Sequence, residues 1–140
     1  MRYKMIDEHT YVVILALDEE VVEKLGTFLE EESIDNACFS GIGALKKAEL
    51  AHYRVDTKRY SSRVFEEALE LADLSGNAFL FDGKPLVHAH ATLADANFTA
   101  IAGHLVSGVI SSTAEILVKK LDSKFQKKHS PAIGLKLLNI

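Results

Sequence analysis

The residues best suited to chemistry are three histidines between positions 88 and 104. His88 and His90 lie two apart in the apolar run Leu86–Leu93, and His104 follows Gly103. In a strand, residues two apart project from the same face about 7 Å apart along the chain, so His88 and His90 can aim at one point. The small Gly103 lets the backbone carrying His104 come close and supply a third imidazole. Three imidazoles on a metal leave one position open for water or a small ligand, the pattern of catalytic rather than structural zinc sites. Among divalent metals, zinc, iron and nickel suit such a set. The competing reading is a polar network in which the histidines hydrogen-bond one another and nearby carboxylates across a subunit boundary. Cys38 is the single cysteine, which excludes an internal disulfide and a thiolate cluster within one chain. Its apolar neighbours predict an inert core thiol.

Other residues invite weaker readings. Arg63, Glu67 and Glu70 lie on the approach to Ser75-Gly76 and are candidates to line a cleft near the histidines; surface ion pairing accounts for them equally well. Glu115 interrupts an apolar strand, either as a buried partner for a histidine or lysine or, as the preferred reading, on its solvent face. Lys124, Lys127 and Lys128 can contact nucleic acid or a ligand phosphate, although no stacking aromatics are interleaved with them. Gly41-Ile42-Gly43 lacks the third glycine and the Lys-Ser/Thr pair of a phosphate loop and reads as a turn or bulge. Neither Ser75 nor Ser111 sits in a Gly-x-Ser-x-Gly elbow, so hydrolase chemistry is not indicated.

The elements that must hold these residues belong to one domain spanning 1–140. The chain has 48% hydrophobic and 26% charged residues, the balance of a folded globular protein. Its net charge of −4 opposes unaided binding to a polyanion. The opening residues Met1 to Glu8 lack a signal peptide's apolar stretch, and no run approaches the ~20 apolar residues of a membrane helix, so a cytoplasmic protein with no membrane partner is expected.

Thr10–Leu17 is a β-branched apolar run that suits a buried strand. Val21, Val22, Leu25, Phe28 and Leu29 then recur at helical spacing and predict a helix over 19–32, with Asp18 as N-cap and Leu17 stapled to Val22. Ile34–Ser40 and Tyr60–Phe65 read as strands; Leu45–Val55 alternates only loosely and fits strand or helix, with strand preferred, joined to Tyr60–Phe65 through Asp56–Arg59. Glu66–Ala78 is mostly strand, bending at Gly76. Asp82-Gly83 marks a tight hairpin turn between Phe79–Phe81 and Leu86–Leu93. Ala94–Thr99 is a polar loop, and Gly103–Ile110 and Thr113–Leu121 are two further strands. The tail carries Lys124, Lys127, Lys128 and His129 before an apolar ending, Leu135–Ile140, that should pack on a sheet of this subunit or another.

Taken together, Leu71-Ala72-Asp73-Leu74-Ser75-Gly76-Asn77-Ala78, Asp82-Gly83-Lys84-Pro85-Leu86-Val87-His88-Ala89-His90, Ala102-Gly103-His104-Leu105 and Thr113-Ala114-Glu115-Ile116 resemble the PPC domain, named for its conservation in plants and prokaryotes. Ala102 departs from the pattern, which usually has a second glycine there. The resemblance implies an α/β fold of the α+β type: a mixed, largely antiparallel sheet with one main packed helix, assembled as a homotrimer. Plant relatives carry an AT-hook with an Arg-Gly-Arg-Pro core, which is absent here. The resemblance thus implies a regulatory or interaction module of the kind called DNA-binding, with a divalent metal on His88, His90 and His104 as a candidate cofactor. The alternative is a small metal-dependent enzyme or ligand sensor using the same histidines.

Overall fold

The structure, a computed structural model, describes residues 1–122 and 124–140. The described residues form one helix, α1 (Val21–Glu31), and nine strands: β1 (Arg2–Met5), β2 (Thr10–Ala16), β3 (Ala37–Arg54), β4 (Arg59–Phe65), β5 (Leu69–Phe81), β6 (Lys84–Ala94), β7 (Ala100–Lys120), β8 (Gln126–Ser130) and β9 (Leu135–Asn139). All pairings are antiparallel except a single parallel contact between β5 and β8 at Leu80 and Gln126. Thus the α+β class and the largely antiparallel sheet expected from the sequence are present.

The pairings β3–β5, β5–β6, β6–β7 and β7–β3 close a circuit, so the sheet curls around its own apolar face. Alternation along the strands, its phase reset at the register shifts between Leu71 and Asp73 and between Leu105 and Ile110, sends Leu71, Leu74, Ala89, Ala91, Leu93, Leu105 and Ile110 inward, each at most 2% exposed. α1 covers the core with Val21, Leu25, Phe28 and Leu29. Phe28 packs edge-on against Tyr3 and Tyr11, with ring centroids 4.9 and 5.2 Å away.

Several boundaries differ from expectation, each for a local reason. The strands predicted on either side of Gly41-Ile42-Gly43 are one strand, β3, with register shifts against both neighbours in the segment from Gly41 to Lys47. The glycines are required there by close approach: a Cβ on Gly43 would stand 2.5 Å from the Thr113 carbonyl oxygen. Likewise Gly103–Ile110 and Thr113–Leu121 are both parts of the continuous β7. Asp18 is not the N-cap, because its φ of 71° is left-handed whereas an N-cap needs extended backbone. That role falls to Glu20, whose carboxylate accepts from the Val22 and Glu23 amides at 3.1 and 2.6 Å and from Gly108 N of β7 at 2.8 Å. With the cap moved, the expected Leu17–Val22 staple is lost, and Leu17 is 57% exposed. Cys38 is exposed, not core: it alternates between the buried Ala37 and Phe39. Glu115 is on the solvent face as expected.

The β5–β6 hairpin turns on Asp82 and Gly83, both at positive φ (52° and 79°), as the Asp-Gly pair predicts. β8 and β9 form a second hairpin that folds back toward the β3–β4 turn. It is tied there by Tyr53 Oη donating to the Ile133 carbonyl at 2.6 Å and by Lys58 Nζ donating to the Pro131 carbonyl at 2.7 Å. No helix is long and apolar enough to cross a membrane.

Candidate metal centre

Strand alternation places His88 and His90 on the outer face of β6, because Ala89, Ala91 and Leu93 fill the inner one. β7 pairs beside β6 in a register that sets His104 directly opposite His90. The other edge of β6 lies on β5, where Gly76 allows the close passage of the His88 backbone. A Cβ there would stand 2.5 Å from the His88 carbonyl oxygen. These two pairings converge three imidazoles. The ring centroids are 5.3 Å apart for His88 and His90, 5.2 Å for His88 and His104, and 5.7 Å for His90 and His104. One nitrogen from each ring lies within 4.8 Å of the others. Three nitrogens at about 2.0–2.1 Å from a tetrahedral zinc stand about 3.4 Å from each other, so modest ring rotations close the remaining gap.

The electrostatics favour neutral, lone-pair-bearing imidazoles. His88 remains an exposed residue, yet partial loss of water around its ring, then the charge of Lys127 and the two neighbouring histidines, bring its pKa from 6.5 to about 4. His104 is lowered by the same desolvation and by His90 and Lys127. A neutral imidazole is the form that binds metal. His104 Nδ1 is buried without a hydrogen-bond partner. Buried polar atoms of this kind usually have a partner, and a metal held by His88, His90 and His104 would give this group one. The residues present therefore fit a divalent ion. When bound, such an ion supplies an open position that polarises or activates an oxygen ligand.

A cavity of ≈ 380 Å³ opens beside the group and is lined in part by His88 and His104 themselves. Its other polar walls are Tyr60 from β4 and Lys127, His129 and Lys136 from the β8–β9 hairpin. Tyr60 lies against His104 with centroids 5.5 Å apart. Lys136 is held over the Phe81 ring, Nζ 4.1 Å from its centroid.

The remaining candidates lie elsewhere. Arg63 sits over the Phe65 ring and borders a depression with His52 and Ala102, Glu70 borders a different one with Gly43 and Glu115, and Glu67 lies in the β4–β5 connection. None of the three lines the cavity beside the histidines. The three tail lysines do not share a surface: Lys127 is only 8% exposed, while Lys124 and Lys128 are open to solvent. Burial of Lys127 lowers its pKa, with a smaller effect from Lys136. Sequence reasoning missed Tyr60 and Lys136 as neighbours of the histidines. The only signal for Lys136 was its place in the apolar tail.

The profile of the Plants and Prokaryotes Conserved (PCC) domain matches residues 4–122. The chain belongs to this family. No curated protein matches the PCC-domain chain. Among solved structures it is similar to a "putative dna binding protein" from Bacteroides thetaiotaomicron, with 28% identity, a TM-score of 0.95, and coverage of 99% of this chain and 96% of that one. It is 31% identical to a plant- and prokaryote-conserved protein from Pyrococcus horikoshii, with a TM-score of 0.88 over 97% and 98% of the two chains. A protein from Archaeoglobus fulgidus described as metal-containing shares 26% identity and a TM-score of 0.88, over 100% of this chain and 99% of that one.

Proposed function

We propose that this PCC-domain protein is a metal-dependent ligand-binding module, either a sensor or a small enzyme, in which His88, His90 and His104 hold a divalent ion. The observation that carries this reading is the convergence of three ring nitrogens within 4.8 Å, beside a cavity. The relative from Archaeoglobus fulgidus, described as metal-containing, supports it. Zinc, iron and nickel are the candidate ions, on the preference of imidazole ligands.

The test is metal content per subunit, by elemental analysis of protein purified without an affinity tag and offered zinc, iron and nickel in turn. Near-stoichiometric metal in the wild type and its loss in His90→Ala is the expected outcome. Removing one ligand of three should weaken affinity by more than about 100-fold, since even a hydrogen-bond partner of a ligand is worth about 10- to 100-fold. Absence of metal from the wild type under all three conditions would return the histidines to the role of a polar network.

A second reading, a DNA-binding regulatory module, is favoured by the relatives from Bacteroides thetaiotaomicron and Ralstonia eutropha, both described as putative DNA-binding proteins. The net charge of −4 opposes it, so any binding must come from clustered lysines of an assembled oligomer. Affinity for duplex DNA that falls steeply between about 50 and 200 mM salt is its expected signature. Retention that ignores salt, or none, removes it. We assign the protein to a homotrimer and to the cytoplasm on the same terms. The trimer is supported by the exposed apolar side chains Ile42 and Leu117, 59% and 51% exposed on one face of β3 and β7.

A further inference from the structure

We propose that the cavity beside the three histidines binds a small organic anion, a carboxylate or phosphate ester on an apolar body, with Lys127 as its charge partner. The inference builds on the metal-centre reading above for the open position that the anion's oxygen would face. Its recognition by Lys127 stands apart from that reading.

Three observations point to an anion. Among the residues lining the cavity there are two lysines and three histidines and no carboxylate. Lys127 is 8% exposed and makes no ion pair among the described residues. Its ammonium borders the cavity with no counter-charge beside it among those residues, and an anion entering from the cavity supplies that partner through a charge-assisted hydrogen bond. Lys136 adds a second positive group, fixed over Phe81. The remaining lining residues Leu86, Val87, Leu135 and Leu137 are aliphatic and suit a hydrocarbon body rather than a sugar or a bare inorganic ion. At ≈ 380 Å³ the space is near the small end of ligand pockets, which run from about 300 to 1,000 Å³. The lysines, His129, Leu135 and Leu137 come from the β8–β9 hairpin, and His88 and His104 from β6 and β7, so ligand recognition and metal position are supplied by different parts of the fold.

The test measures binding of 3-phenylpropanoate, phenyl phosphate and the uncharged 3-phenylpropanamide by calorimetry, on metal-free and on zinc-treated protein. At least one anion should bind and the amide should not; the tighter anion identifies carboxylate or phosphate ester as the class. Lys127→Gln should weaken the anion at least about tenfold, the scale of a lost hydrogen bond to a charged group. Because Lys127 is buried, its variant is accepted only if its melting temperature is not lowered. Lys136→Gln, at an exposed site, gives the independent check and should weaken binding by about threefold, as expected of an exposed charge. Anion binding that depends on these lysines in a protein that takes up no zinc would sink the metal reading and leave this one standing. Stoichiometric zinc with no anion binding does the reverse. Equal binding of the amide, indifference to both lysine variants, or exclusion of every probe because a neighbouring subunit's acidic side chain fills the cavity would each overturn the proposal.

Discussion

His88 is held neutral by its surroundings, and this has a measurable consequence in the metal-free protein. Its folded pKa is about 4 against 6.5 for the ordinary side chain. The unfolded chain therefore takes up a proton at this position as pH falls below about 6.5, while the folded chain resists doing so until about 4. Folded stability is undiminished by this group above that window and declines as pH falls through it. Thermal melting between pH 7 and 4.5 should show a smaller acid-side loss for His88→Gln than for the wild type; equal losses would mean that the titrating groups lie elsewhere. At the same scale, the strand period of two made the shared face of His88 and His90 legible in the sequence. The pairing of His104 with His90 was not legible, because register between distant strands depends on bulges and turns across the whole sheet. Cys38 shows the other side of that rule: one step along a strand separates core from solvent.

Among the elements, α1 was the most readable, through its apolar spacing, yet its first residue was misplaced by the left-handed Asp18. Glu20 joins the helix start to β7 by accepting from two helix amides and from Gly108 N. Glu20→Ala should cost about 0.5–2 kcal/mol in urea unfolding, the range of a lost N-cap, with Glu20→Asp partly restoring it. A change within a few tenths of a kcal/mol would mean that water replaces the cap at no cost. The long strands β3 and β7 were each divided in the sequence reading, because glycines that permit close approach carry the same local signal as glycines that end a strand. The β8–β9 hairpin was visible only as a basic stretch and an apolar ending. Its place against the histidines is fixed by Tyr53 and Lys58, about 70–80 residues earlier in the chain, a separation that local patterns do not report.

For the whole molecule, the fold class was legible, and the homotrimer proposed above is supported by the exposed apolar face of β3 and β7. If Ile42 and Leu117 are covered by neighbouring subunits, Leu117→Asp should convert the trimer to smaller species, because a buried carboxylate without a partner is strongly disfavoured at an interface. Light scattering after size exclusion checks it. An unchanged mass for the variant would place the contact on another face.

The family match ends at residue 122, whereas β8 begins at Gln126. The metal-ligand candidates fall inside the matched stretch, and Lys127, His129 and Lys136 fall outside it. On the readings proposed above, this arrangement would separate the metal position from the selection of the ligand. A hairpin anchored by two side-chain hydrogen bonds at the margin of the sheet is an exchangeable cover: transplanting it from one relative to another should carry ligand preference along while leaving the three imidazoles in register.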